Sequence, residues 1–459
     1  MLDRSRRVVL PAPAYFRRIP PVARPRAHEE QHLASEKSRN GANHYENVAC
    51  PFCGILCDDL EIGPSGEGLK VLKNGCVKSV AGFERPLREP SPQVDGQDVS
   101  LDEAVAAAAR LIKESRLPVF GGLGTDVDGI RAAMALAEKG AGIVDHALSE
   151  GQYRNFKVLQ SSGWVLTTLT EARNRADLFI IAGADVHELH PRFFERIVCN
   201  EASMFSDNPP KRTVVFLGEN LDQSAVKGKR IGEVVTIPTK PERIAEILDA
   251  MRAMNKGGTI SGDAIAGVPR ATIEDLFARC KTASYGVIIW APPSLAFPNA
   301  DLTVQAISEF VKEINLTTRF AGLSLGGNEG ATSASAVCSW QSGFPLRVSF
   351  VSGAPDYDPE RYVANRLLAA KECDLLLWLT SFSPDLMPPE SDVPTIFIAQ
   401  PGTKPSRTPK VFIPVGTPGV DHAGTMVRVD NVVSLPLKKL RDSRLPRAAD
   451  VLEKIEAAL

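Results

Sequence analysis

Short apolar runs alternate with amphipathic stretches along most of this chain, and few folds accommodate that pattern. DLFIIAG (177–183), TVVFLG (213–218), YGVIIW (285–290), DLLLWLT (374–380), TIFIAQ (395–400) and KVFIPV (410–415) read as buried strands, as does PVFGGL from Pro118 to Leu123. Helical periodicity covers 101–115, 129–140, 241–255, 271–281, 299–315 and 359–372, with Ser100 placed to cap the first of these. Strands apolar on both faces and separated by helices imply parallel sheets covered on both sides, an α/β architecture. Several strands run into glycine, as in Phe120-Gly121-Gly122, Ala182-Gly183 and Leu217-Gly218. Open parallel sheets bind ligands at such strand ends, although Gly122-Leu123-Gly124-Thr125-Asp126 is not a full dinucleotide fingerprint.

A chain of 459 residues exceeds one ordinary domain of ~100–200 residues. Residues 1–44 read as a disordered tail, because arginines (Arg4, Arg6, Arg7, Arg17, Arg18, Arg24, Arg26) are mixed with prolines and no continuous apolar core of a secretory signal is present. Residues 45–92 read as a small cysteine-bearing β domain with an Asn74-Gly75 turn, and the proline-containing stretch Leu87 to Val99 reads as a linker. The α/β remainder divides into 93–280, 281–390 and a closing segment 391–459. A net charge of −2 gives no electrostatic case for nucleic acid or a membrane surface, and no apolar run reaches the ~18 residues of a membrane span. A cytoplasmic protein is expected.

Cys50, Cys53, Cys57 and Cys76 follow the spacing C-x2-C-x3-C-x18-C, while Cys199, Cys280, Cys338 and Cys373 are scattered. Clustered thiols without a secretory signal point to metal rather than disulfides. Thiolates suit a [4Fe–4S] cluster, whose fourth corner would come from the Asn74-Gly75-Cys76 turn. A four-thiolate zinc site usually uses two symmetric C-x2-C pairs. Relic thiols that bind nothing are the third reading. The scattered cysteines are read as buried small hydrophobes.

With its flanking residues, CPFCGILCDDL followed by NGC and Phe83 resembles the cluster motif of the formylmethanofuran dehydrogenase B-subunit family, in the molybdopterin oxidoreductase group. The resemblance runs from about residue 47 to the end through Asn174-Arg175-Ala176-Asp177, His187-x-x-His190-Pro191-Arg192, Ala266-Gly267-Val268-Pro269, Val337-Cys338-Ser339-Trp340-Gln341-Ser342-Gly343-Phe344-Pro345, Gly353-x-Pro355-x-Tyr357-x-Pro359 and Gly419-Val420-Asp421-His422-Ala423-Gly424-Thr425. It implies a small cysteine-bearing β domain followed by parallel-sheet α/β domains of the molybdopterin oxidoreductase type. It also implies a [4Fe–4S] cluster on Cys50, Cys53, Cys57 and Cys76, and a molybdenum or tungsten bis-pterin held by a cysteine. Here the metal-ligand position is Gly151, in Ser149-Glu150-Gly151-Gln152-Tyr153-Arg154. The pterin-facing segments are altered too, to Gly218-Glu219-Asn220-Leu221-Asp222 and Gly183-Ala184-Asp185-Val186. The first brings acids where pyrophosphate would be repelled. Altered cofactor segments on a retained scaffold resemble the B subunit of bacterial formyltransferase/hydrolase complexes, in tetrahydromethanopterin-linked oxidation of formaldehyde to formate. That resemblance implies a chain without redox catalysis, partnered by an amidohydrolase-like hydrolase, a formyltransferase and a small C-like subunit. The alternative is an active dehydrogenase subunit that uses Ser149 or Glu150 as ligand.

Other residues carry two readings each. His187 and His190 read as an active-site imidazole pair or as hydrogen-bonded histidines at a helix start. Arg192 reads as an anion or interface contact or a surface residue. Asp421-His422 reads as an acid/base pair or a turn hydrogen bond, and Trp340 as core or interface rather than a substrate platform. The pair Asp58-Asp59 beside the thiols reads as capping or tying the loop, since carboxylates do not stabilise an anionic cluster; nothing in the sequence says why both are present.

Overall fold

Residues 44–66, 68–205, 211–229 and 231–459 are described by the computed structural model of the chain, and the expected tail of residues 1–44 falls almost wholly outside them. Tyr45–Val48, Leu60–Ser65 and Gly68–Lys73 form an antiparallel three-stranded sheet that carries the cysteine loop between its first two strands. Its hairpin is followed by a turn in which Asn74 takes φ 59°, and then by the short helix Val77–Phe83.

Two larger sheets form from the apolar runs. Glu233–Ile237, Thr213–Leu217, Leu178–Ala182, Gly286–Trp290 and Phe320–Ser324 lie in that spatial order, all parallel. Chain order reverses between Leu178–Ala182 and Gly286–Trp290, which makes a topological switch point. The other sheet is built on parallel strands Ile143–Val144, Pro118–Gly124, Leu375–Thr380, Thr395–Ala399 and Val411–Pro414, with short antiparallel strands at both edges. Helices Leu101–Glu114, Val127–Lys139, Ile244–Asn255, Arg270–Thr282 and Ala300–Ile314 cover the sheets close to where periodicity puts them. Ser100 accepts from the Glu103 N–H, and the Glu103 carboxylate accepts from the Ser100 N–H at 2.8 Å.

The sheets do not respect the expected divisions at 280 and 390. Gly286–Trp290 pairs with Leu178–Ala182, and Leu375–Thr380 pairs with both Pro118–Gly124 and Thr395–Ala399. Parallel partners are joined by long crossovers, so periodicity identifies a strand without naming its neighbour. Residues 45–459 form one contact-dense unit. The stretch read as a linker contributes a hairpin, Gln93–Val94 with Gln97–Asp98, to a sheet edge. Its turn is Asp95-Gly96, both at positive φ, the geometry of a two-residue hairpin. The expected helix at 359–372 shortens to Ala364–Ala369.

Gly122 has a structural reason to be glycine. Its φ is +77°, and a Cβ there would lie 2.5 Å from the Leu379 carbonyl oxygen.

Candidate metal centre and adjoining cavity

The first strand delivers Cys50 into the interior. Cys50, Cys53 and Cys57 are buried, Cys76 is half-buried, and all are free thiols. The Cys50 N–H donates to the Cys57 carbonyl at 2.8 Å, and the Leu56 N–H to the Cys53 carbonyl at 3.2 Å, closing the loop. Cys76 caps the Val77–Phe83 helix, where its N–H donates to Ser79 Oγ at 2.7 Å. Burial, and after it Cys53, push the Cys50 thiol well up, with further contributions from Cys57 and Cys76. Burial and Cys53 push Cys57 up to about 12, against Arg196 and Arg192. The four sulfurs therefore feel one another, and Lys78, Arg192 and Arg196 oppose their charge. Among the described residues no three His, Cys, Asp or Glu side chains gather closely enough for a single ion. A tetrahedral zinc needs sulfurs at ~2.3 Å from one centre.

Asp58 and Asp59 acquire a physical role. Arg192, its side chain 5% exposed, donates to both Asp59 oxygens at 2.7 and 2.8 Å and to Glu195 at 2.6 Å. Arg196 bonds Asp58 at 2.7 Å and also pairs with Asp59. Burial opposes ionisation of Asp59, but Arg192 and Arg196 prevail and hold its carboxyl below the usual range. The clamp ties the cysteine loop to the turn Phe194–Val198, so Arg192 is an internal contact.

His187 Nδ1 and both ring nitrogens of His190 are buried without a hydrogen-bond partner. His190 is fully buried with neither ring nitrogen hydrogen-bonded, and burial, followed by Lys78, pushes it down to about 3. Lys78 Nζ donates to the Leu189 carbonyl at 2.8 Å. The helix-start hydrogen bonds expected for His190 are thus also missing. Asp421 accepts from the Thr417 N–H at 2.7 Å and from Arg441 at 2.6 Å, while His422 contacts the Ala423 and Gly416 carbonyls. Asp421 and His422 are engaged in turn contacts. Trp340 is 62% exposed, which excludes the core reading and leaves a surface position.

The cysteine loop rests on a glycine-rich loop, Gly326-Gly327-Asn328-Glu329-Gly330. The Gly54 N–H donates to Asn328 Oδ1 at 3.2 Å, and the Gly54 carbonyl accepts from the Val429 N–H at 2.9 Å. Glu329 takes φ 52°. Its Oε2 is buried without a partner, and burial raises its carboxyl to about 7. The same glycine-rich loop lines a cavity of about 510 Å³. This cavity lies where strands Gly286–Trp290 and Phe320–Ser324 end, against helix Ser149–Ser161. His146 fixes the start of that helix: its Nε2 bonds the Glu329 carbonyl at 3.0 Å, and its Nδ1 accepts from the Leu148 N–H at 2.9 Å.

Gly151 sits in the first turn of this helix. A Cβ there would meet the Pro293 nitrogen at 3.6 Å and Arg154 at 3.7 Å, which is ordinary contact. Packing does not require glycine at 151. Ser149 is buried against Arg347, and Glu150 is exposed beside Arg154 at 3.6 Å. The cavity lining is mainly apolar and, among the described residues, contains no lysine, arginine, histidine or cysteine. The acid in it, Asp430, is paired with Arg428 and accepts from the Leu169 N–H. Gly151 is not itself among the lining residues; of the described residues that are, none is a soft metal ligand or a cation that could meet pyrophosphate, so this lining fits a bis-pterin metal poorly. Asp185, in the second altered segment, accepts from the Glu188 N–H at 3.1 Å, and Asp222, in the first, from the Ser224 N–H at 2.8 Å.

No protein-family profile matches the chain. The B subunit of the tungsten-containing formylmethanofuran dehydrogenase 2 of Methanocaldococcus jannaschii is 27% identical over 412 residues, covering 86% of this chain and 93% of the relative. Its namesake from Methanococcus maripaludis is 26% identical over 403 residues, covering 84% and 92%. The B subunit of the formyltransferase/hydrolase complex of Methylorubrum extorquens is 29% identical over 337 residues, covering 72% and 87%. The chain is a homologue of these B subunits. A chain in the crystal structure of the Methylorubrum extorquens complex, which contains methylofuran, superposes with a TM-score of 0.67 at 26% identity, covering 80% of this chain and 98% of that one. The mixed α/β architecture with parallel sheets agrees with that neighbour.

Arg196 and Glu329 are site residues that no motif in the sequence marks. The run Gly326-Gly327-Asn328-Glu329-Gly330 is the one available signal, since an acid between glycines marks an unusual backbone.

Proposed function

We propose that this chain is the B subunit of a formyltransferase/hydrolase complex in methanofuran- and tetrahydromethanopterin-linked one-carbon metabolism, acting in the cytoplasm as a scaffold without redox catalysis. The observation that carries this reading is Gly151, at the position where the resemblance places a metal-ligating cysteine; a Cβ there would face Pro292, Pro293 and Arg154. Its partners are a formyltransferase, an amidohydrolase-like hydrolase and a small C-like subunit. Likeness to a chain of the Methylorubrum extorquens complex over nearly that chain's whole length supports this assembly. No helix among the described residues is long and apolar enough to cross a membrane.

In this reading the molybdopterin-type domains serve as architecture, and the cysteine-bearing sheet is an inherited cluster domain. Cys50, Cys53, Cys57 and Cys76 would hold a [4Fe–4S] cluster, which supplies one-electron transfer when bound. The chain's own contribution is positional. Arg192 and Arg196 fix the loop through Asp58 and Asp59, and Gly54 docks it on the 326–330 loop.

A second reading, an active dehydrogenase subunit, is favoured by the fuller coverage of the chain by the tungsten-containing relatives, 86% against 72%. It requires Ser149 or Glu150 as ligand. Ser149 is instead engaged by Arg347, and Glu150 points into solvent beside Arg154.

Affinity isolation of the tagged chain from its native cell tests the proposal. The expected result is co-isolation of formyltransferase and hydrolase subunits, with formate released from formylmethanofuran and no reduction of a viologen dye. Dye reduction dependent on formylmethanofuran would establish the second reading instead.

A further inference from the structure

A second crevice opens at the carboxyl ends of the parallel strands Thr395–Ala399 and Val411–Pro414, where Gln400 and Thr417 follow them. It shares no lining residue with the apolar cavity. Arg85, Arg88 and Arg441 meet in it. Two of them are held side by side through backbone carbonyls: Arg441 Nη1 donates to the Arg85 carbonyl at 2.9 Å, and Arg85 Nη1 to the Phe382 carbonyl at 3.0 Å. Neither contact neutralises charge. Asp421, the acid in the described lining, is already engaged by Arg441 Nε and the Thr417 N–H. Burial pushes the Arg85 guanidinium down and Arg441 adds to that, against Glu329, Asp385 and Asp421. Arg85 Nε and Nη2, Arg441 Nη2, the Thr417 hydroxyl and the whole exposed head of Arg88 have no partner among the described residues, and none of these atoms is sealed from solvent. Guanidinium groups with unused donors at the end of a parallel sheet are a ready receptor for an oxyanion.

We propose that this crevice binds a phosphate group, with one oxygen between Arg85 and Arg441 and the others on Arg88 and the Thr417 hydroxyl. Its volume of about 10 Å³ admits about one water-sized atom, so one oxygen enters and the body of the anion stays at the mouth beside Arg88. Three guanidinium charges against the Asp421 carboxylate leave a surplus of two in the lining, although the whole chain carries −2. A phosphate dianion matches that surplus and a single carboxylate does not. The site is independent of the metal–pterin question, and it holds whether or not the chain assembles with a formyltransferase.

The probes are inorganic phosphate and methyl phosphate, titrated calorimetrically into the full chain at an ionic strength fixed with chloride. One saturable site per chain is expected for inorganic phosphate. Equal binding of methyl phosphate assigns the site to a phosphate group carried on a larger ligand, and binding of inorganic phosphate alone assigns it to the free ion. Arg88→Ala, at an exposed and unpaired side chain where folding is not at stake, is expected to weaken binding about tenfold, in line with one lost charge-assisted hydrogen bond. Arg88→Lys is expected to restore part of that loss. Arg110→Ala removes an exposed arginine outside the crevice and is expected to leave binding within about twofold. Absence of saturable phosphate binding to the wild-type chain would overturn the proposal. So would binding that survives Arg88→Ala undiminished, or that falls equally with Arg110→Ala.

Discussion

Replacing Gly54 by alanine tests how the cysteine loop is held. A Cβ at 54 would lie 2.1 Å from the Gly326 carbonyl oxygen and 3.0 Å from Gly327 Cα. Both are backbone atoms, so no side chain can swing aside, and one loop must retreat from the other. Overpacking of this kind costs about 1–3 kcal/mol. Retreat also weakens the Gly54 bonds to Asn328 and Val429, each contributing about 1 kcal/mol. A total near 3 kcal/mol is expected. The unit Tyr45–Leu459 has an unfolding entropy of about 0.9 kcal/mol/K at about 2.1 cal/mol/K per residue, so the apparent Tm should fall by about 3 °C. Gly326→Ala is the control within the same contact, because a Cβ there meets nothing within 4 Å. Differential scanning calorimetry of both variants measures the difference. If Gly54→Ala melts with Gly326→Ala and wild type, the close approach of the two loops is not part of the fold.

Asp59→Asn should destabilise the chain by about 1–2 kcal/mol, a figure kept low because the carboxylate is partly solvated. The folded pKa of Asp59 is depressed, so its contribution is present above the unfolded value of about 4 and lost as pH falls through the folded one. Acid denaturation curves should show wild type and Asp59→Asn converging at low pH. Glu329 works in the opposite sense: its folded pKa of about 7 exceeds the unfolded value, so its own contribution is fully present below about pH 4.5 and is lost as pH rises through 7, roughly 3 kcal/mol in all. Glu329→Gln should flatten that slope in urea titrations across this range. Anaerobic reconstitution with iron and sulfide should load wild type with about four irons per chain, as a [4Fe–4S] cluster requires, and Cys53→Ser with markedly less, measured by iron analysis and visible absorbance.

The strands are legible because burial on both faces makes them continuous apolar runs, as in LFIIA from Leu178 and LLLWLT from Leu375. Their partners are not, since the pairing of Gly286–Trp290 with Leu178–Ala182 spans a crossover of about a hundred residues that no local pattern records. Helix Ser149–Ser161 hides behind a glycine and polar residues, and its N-cap Leu148 makes no side-chain cap. Helix Ala331–Ser342 is built largely from alanine and serine and is buried on several faces, so it lacks an apolar stripe. At the site, the thiols are legible from spacing alone. The partners of Asp58 and Asp59 lie more than a hundred residues away, at Arg192 and Arg196, and only the folded chain brings the charges together.

In the proposed reading, Gly151 leaves the chain without the thiolate that would hold molybdenum or tungsten. Mass-spectrometric metal analysis of the complex, isolated anaerobically from its native cell, addresses it most directly. The account predicts molybdenum and tungsten far below one atom per copy of this chain, whatever the iron content. Either metal at one atom per copy would contradict it.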